Sequence, residues 1–179
     1  MKKTNKFLSL VPLLLLWAVF SALIWGFVFA RLTDTDPAHK LVLYVDAPVA
    51  DPTALAVALE EGKGPGIRMV QARPFTYAML NSASLRSADL YIIPASEVDL
   101  YADWLTPLPG ELAVTENALI REGAAWGIPL AGAAASHIEY DGSETYYLFF
   151  GRESLHVPGN PEAVDGEALP AACRLLALP

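Results

Sequence analysis

Apolar and polar positions divide the chain into one long uniform run followed by a series of short ones. Phe7–Ala30 holds 24 residues without a charge. As a helix rising ~1.5 Å per residue it measures roughly 36 Å, enough to cross a ~30 Å hydrocarbon core with some tilt. Ser9, Pro12, Ser21 and Gly26 are its only weak points, and Trp25 and Phe29 suit an interfacial belt. Arg31–His39 carries Asp34, Asp36 and Pro37 without periodicity and reads as a polar stalk.

Beyond His39 the runs are short and change in kind. Lys40–Asp46 is almost continuously apolar and predicts a buried strand of a parallel sheet. Asp51-Pro52 supplies an N-cap with proline at the first helical position, and Leu55 and Leu59 carry a helix to Gly62. Gly64-Pro65-Gly66 breaks the chain. Ile67–Ala72 predicts a second strand. Pro74–Leu85 predicts a second helix, with Phe75, Met79 and Leu80 at helical spacing. Asp89–Ile93 is the third strand. Ser96, with Asp99 three residues on, reads as a capping-box variant that opens a helix through Trp104. The order β-α-β-α-β-α implies a parallel sheet with helices covering its faces.

The last third is less regular. Thr115–Glu122 predicts a helical turn. Ser136–Tyr140 and Glu144–Phe150 flank Asp141-Gly142-Ser143 and predict an aromatic hairpin that completes the core. Val157–Asp165 is a loop. Gly166–Leu178 predicts a closing helix with Pro170 in its first turn and Leu169, Cys173, Leu175 and Leu176 available to the sheet. The expected fold class is α/β: an N-terminal transmembrane helix plus one three-layer domain with a mainly parallel sheet. The corresponding segments are 1–6 as a cytoplasmic N-terminus, 7–30 as the anchor, 31–39 as the stalk and 40–179 as an extracytoplasmic domain.

Charge adds a direction. Lys2, Lys3 and Lys6 precede the apolar run, so the positive-inside bias puts the N-terminus in the cytoplasm and the domain outside. Val28-Phe29-Ala30 also meets the small-residue rule for signal-peptide cleavage, which would release a secreted domain. The length of the run favours an uncleaved anchor. The whole chain carries −8, but after Ala30 there are nine basic and twenty acidic residues, a net −11. A domain of that charge repels phosphate backbones, which excludes nucleic acid as a partner. The single cysteine, Cys173, allows no intramolecular disulfide and reads as a small core residue.

Candidate chemistry is sparse. His39, His137 and His156 form no metal-ligand spacing with Cys, Asp or Glu. There is no Gly-x-Ser-x-Gly elbow and no P-loop. Gly62–Gly66 follows a helix and precedes a strand, the reverse of a phosphate loop. No catalytic constellation, metal site or cofactor is expected, and the chain is read as a non-enzyme. Ligands of open α/β sheets bind at the carboxyl ends of the strands. The binding candidates are therefore Asp46, Ser96, Glu97 and Trp126. Each has a plainer reading: Asp46 as a turn cap, Ser96 as an N-cap, Trp126 as core.

Three stretches resemble the extracytoplasmic solute-binding proteins of ABC importers, the bilobed type that takes sugars and oligosaccharides. Ala88–Leu108 is similar to the family's strand, short helix and "Leu-x-Pro-Leu" ending. Glu122-Gly-Ala-Ala-Trp-Gly-Ile-Pro-Leu130 looks like its "Gly-x-x-Tyr-Gly-Ile-Pro" segment. Tyr147–Ser154 with the helix after Pro161 is similar to the late return to the first lobe. The resemblance implies one lobe of a periplasmic binding protein and, as partners, an ABC permease or other protein and a small carbohydrate, besides the membrane. The chain departs from the pattern in length. Only about twenty residues separate the Gly-Ile-Pro segment from the return, too few for a second lobe.

Overall fold

The computed structural model describes all residues except 1–3, 81, 111, 114, 140–143 and 179. The chain forms two compact units that divide after Thr35. The first contains one helix, α1 (Thr4–Thr33). Its segment Leu10–Phe29, 20 residues, is long and apolar enough to cross a membrane, and none of it is buried.

In the second unit the strands and helices follow one another as β1 (Lys40–Val45), β2 (Val49–Ala50), α2 (Pro52–Gly62), β3 (Met69–Pro74), α3 (Ala83–Arg86), β4 (Leu90–Pro94), α4 (Val98–Tyr101), β5 (Leu105–Thr106), β6 (Leu119–Arg121), β7 (Ala124–Pro129), α5 (Gly132–Ser136), β8 (Ile138–Glu139), β9 (Tyr146–Gly151) and α6 (Ala168–Leu175). This is an α/β fold on a mixed, mostly parallel sheet. The sheet has seven strands in the order β3-β1-β4-β9-β7-β6, with β5 also paired to β9. β1, β3, β4, β5 and β7 run one way, and β6 and β9 run against them. Parallel pairing itself is confined to β3-β1-β4.

Alternation along the strands builds two cores. Leu41, Leu43 and Val45 point to one face, with Leu90, Ile92, Leu148 and Phe150. There they meet Leu55 and Leu59 of α2 and Ala168, Ala171, Ala172 and Leu175 of α6. Each buried leucine contributes about 1.5–3 kcal/mol. Tyr44, Tyr91, Ile93 and Phe149 point to the other face, with Leu85 of α3 and Val98 and Tyr101 of α4. Cys173 is half-buried and packs at the margin of the first core. Leu169 does the same, so the closing helix uses its alanines as much as its leucines against the sheet.

Local chemistry explains where the elements begin. Asp51 caps α2 as its sequence suggests: its carboxylate accepts from the backbone N–H of Thr53 and of Ala54, each at 3.0 Å, with Pro52 at the first position. The second helix expected over Pro74–Leu85 does not form as one piece. Pro74 ends β3 in register with Val45, and Phe75 N–H bonds the Val45 carbonyl at 2.7 Å, so the chain is still extended there. A 3₁₀ turn at Tyr77–Met79 follows, and Ser82 then caps the single turn of α3. The second face of the sheet is therefore thinly covered above β1 and β3.

Three further expectations are corrected. Ser96 does not cap a helix; it lies inside a 3₁₀ turn, Ala95–Glu97, that leads into α4 without a side-chain cap. Leu119–Arg121 is a strand, where a helical turn was expected. It forms a hairpin with β7 through Glu122 (φ 52°) and Gly123 (φ 79°), the two positive angles of a type I′ turn. A glutamate in that conformation gives no Asn-Gly signal to read. Finally, β8 pairs with β2, antiparallel, and not with β9. The Asp141-Gly142-Ser143 turn lies outside the described residues. The aromatic run of β9 instead enters the middle of the sheet, between β4 and β7.

Candidate functional site

The carboxyl ends of β1, β3 and β4 lie side by side, and each passes into a loop that carries a polar or aromatic group. Asp46 follows β1, held by its N–H on the Ile92 carbonyl at 2.8 Å. Its Oδ2 accepts the hydroxyl of Tyr101 at 2.5 Å. Glu97 closes the 3₁₀ turn after β4 and brings its carboxyl within hydrogen-bond reach of Asp46. Burial above all, then the bond and charge of Asp46 and the charge of Glu144, raise the Glu97 pKa. One of its oxygens, Oε2, is buried without a hydrogen-bond partner. Burial, then the hydrogen bond and charge of Asp46 and the charge of Glu97, push the Tyr101 hydroxyl up. The raised pKa favours the protonated form of Glu97, which can then donate as well as accept.

Aromatic rings flank this pair. Phe75 stands edge-on to Tyr101 at 5.3 Å and to Tyr77 at 5.7 Å, and Trp104 lies 5.4 Å from Tyr101. Tyr77 is 67% exposed, so one ring of the stack faces solvent. Such a combination accepts hydrogen bonds from hydroxyl groups and offers a flat apolar surface beside them.

Of the four residues picked from the sequence, the fold brings Asp46 and Glu97 together. Ser96 is exposed on the same turn as Glu97. Trp126 lies on β7, 7% exposed, in the same second core as Tyr101, with the Arg121 guanidinium 5.6 Å from its ring centre. Arg121 in turn pairs with Asp99 at 3.1 Å. Tyr101, Phe75 and Tyr77 were not foreseen as site residues. Tyr101 had a signal, since it stands four residues after Glu97 and so on the same side of a helical turn.

The fold also assembles a polar cluster that is scattered in sequence. Asp89 accepts the Val42 N–H at 2.7 Å and the Ser154 hydroxyl at 2.5 Å. Ser154 Oγ accepts the His156 N–H at 2.9 Å. The His156 ring meets Asp165 at 2.8 Å through Nδ1 and the Pro37 carbonyl at 3.2 Å through Nε2. Both of those partners are acceptors, an arrangement that favours the doubly protonated ring. Burial, the largest influence, opposes that charge; the Asp165 bond and the charges of Asp89 and Asp165 outweigh it and raise the His156 pKa. Serine, histidine and aspartate meet here without forming a nucleophile. The Ser154 hydroxyl gives its proton to Asp89 and not to an imidazole nitrogen, and Asp89, Ser154 and His156 are all buried. The cluster joins the start of β1, the entry to β4, the exit of β9 and the approach to α6. Among the described residues no group of three His, Cys, Asp or Glu is placed to hold a metal ion.

No family model matches the chain, and no curated protein matches it. Several solved structures overlap it in part, two thiaminases and a cyclo/maltodextrin-binding protein among them. Thiaminase I from Bacillus thiaminolyticus is 18% identical, with a TM-score of 0.36 over 51% of this chain and 28% of the other. Clostridium botulinum thiaminase I in complex with thiamin is 17% identical, with a TM-score of 0.37 over the same shares, 51% and 28%. A cyclo/maltodextrin-binding protein complexed with maltotetraose is 19% identical, with a TM-score of 0.36 over 55% of this chain and 30% of the other. The chain thus spans less than a third of the length of each. At TM-scores below 0.5 these overlaps are partial, and the case for the site rests on the chain's own residues.

Proposed function

We propose that the chain is a membrane-anchored, extracytoplasmic, non-enzymatic binding or interaction module, like a single solute-binding lobe. We place its ligand contact at the carboxyl pair on the strand ends. The observation that carries this reading is the convergence of Asp46, Glu97 and Tyr101 where β1 and β4 end, with a buried Glu97 oxygen that has no partner.

A second reading is a solute-binding component of an ABC-type carbohydrate importer, with the facing lobe supplied by another chain. The aromatic stack with exposed Tyr77 favours it, because sugar rings stack on such surfaces. The test is a thermal-shift titration of the full chain in detergent with maltose and maltotetraose. Under the importer reading the melting temperature rises with sugar, and Asp46→Asn weakens that binding by about tenfold or more, the worth of one charge-assisted hydrogen bond. No shift with either sugar sinks the importer reading and leaves a protein partner.

The lysines at positions 2, 3 and 6 support an N-terminus inside and a domain outside. With Cys173→Ala as background, Thr35→Cys is expected to react with a membrane-impermeant thiol reagent on intact cells. Reaction only after lysis overturns the orientation.

A further inference from the structure

Between Asp36 and the C-terminus the chain has eight basic residues, and two of them, Lys40 and Arg73, line one cavity of ≈140 Å³. Its origin is the thin layer above β1 and β3. The two strands pair in parallel with Val42 opposite Gln71 and Tyr44 opposite Arg73, so alternate residues share the uncovered face. α3 has one turn and closes only part of the space. Lys40 and Tyr44 from β1, Gln71 and Arg73 from β3, and Ser84 and Ser87 at α3 complete the wall.

The polar groups of this wall are mostly donors. Tyr44 is 1% exposed, and its hydroxyl is buried without a hydrogen-bond partner. Such a group is unfavourable until something pairs with it. Arg73 gives one Nη to Gln71 Oε1 at 2.6 Å, which leaves most of its fork of donors. The Ser84 hydroxyl pairs with that of Ser82 at 3.2 Å, and Ser87 gives its proton to the Ala83 carbonyl at 3.1 Å. The one acid in the wall, Asp89, has both oxygens engaged, by Val42 N–H and by Ser154. The remaining donors of Arg73 and the unanswered hydroxyl of Tyr44, in an otherwise acidic domain, call for an acceptor of negative charge.

We propose that this cavity binds a small soluble anion, a molecule presenting a carboxylate or phosphate group, on a face separate from the strand-end carboxyl pair. Arg73 supplies planar donors to its oxygens, Lys40 supplies a second positive charge, and Tyr44 completes its shell. The space holds several waters' worth of atoms, so the anion is no larger than phosphate or a short dicarboxylate. The test follows backbone amide shifts of the full chain in detergent during titration with inorganic phosphate and, separately, with succinate. A saturable shift centred on Gln71, Arg73 and Ser84 with either anion is expected, and Lys40→Gln with Arg73→Gln should weaken it at least about tenfold. Preference for one of the two identifies the anionic group. If the double variant does not fold, Lys40→Gln alone carries the test, with an expected loss of about threefold or more. No shift at those amides with either anion, or unchanged affinity in the variant that folds, overturns the proposal.

Discussion

Alanine in place of Gly151 is expected to cost the domain about 3 kcal/mol or more, a large share of the ~5–15 kcal/mol by which domains are stable. Gly151 ends β9 where two strands close on it. Its N–H bonds the Asp89 carbonyl at 2.9 Å on one side, and on the other it is the register partner of Leu105 in β5. A Cβ built there overlaps the Ala88 carbonyl oxygen and presses on the Tyr91 ring at 3.2 Å. The Ala88 oxygen is backbone, and Tyr91 is fixed by its own hydroxyl on the Leu85 carbonyl. Neither can swing aside, so relief means moving β4 against β9 through the centre of the sheet. Denaturant titration of the full chain measures the loss. Gly110→Ala serves as control: nothing lies within 4 Å of a Cβ there, and a change within ~0.5 kcal/mol is expected. Equal midpoints for the two variants would show that the strands tolerate separation at Gly151.

The second large effect concerns Asp89 and depends on pH. Burial raises its pKa from 3.8 to about 6, against the lowering influence of the Ser154 and Val42 hydrogen bonds and the His156 charge. The folded state therefore keeps this proton at pH values where the unfolded chain has lost it. The stability it contributes is complete below pH 3.8 and drains away as pH rises through about 6, by about 3 kcal/mol in all. Asp89→Ala leaves the Val42 N–H and the Ser154 hydroxyl without their acceptor in a dry site. At pH 5 that should cost about 2–4 kcal/mol. At pH 8 the cost should be smaller, because the substitution then also removes a carboxylate whose burial is unfavourable. His156 acts in the same direction on the wild type: its raised pKa means stability that is present below 6.5 and lost as pH climbs through its folded value. Denaturation midpoints of wild type and Asp89→Ala at pH 5 and pH 8 decide the matter. A penalty that stays constant across that range would show that Asp89 titrates as an ordinary aspartate.

Local patterns were legible wherever one neighbour set the outcome. The uncharged run through Ala30, the Asp51-Pro52 start of α2 and the apolar strands at Lys40 and Leu90 are each written in contiguous residues. The candidate site was half legible. Asp46 and Glu97 follow from the rule that strands end at the ligand edge, whereas Phe75 and Tyr77 were read as parts of a helix that Pro74 and Ser82 divide. Trp126 lies in the second core, the plainer of the two readings its sequence offers.

The sequence by itself determined the apolar helix, the alternation of strands and helices, and the strand ends that carry acids, because these depend on periodicity and caps within a few residues. The tertiary structure alone decided that β8 joins β2 while β9 runs into the middle of the sheet, since strand pairing is settled by what each face buries and not by the turn between neighbours. It alone gathered Pro37, Asp89, Ser154, His156 and Asp165 into one hydrogen-bonded cluster, across as many as 119 positions of chain. It alone left the β1–β3 face thin enough for a cavity with two cations in its wall. A polar side chain finds its partner in three dimensions, and its sequence neighbours carry no record of which one that is.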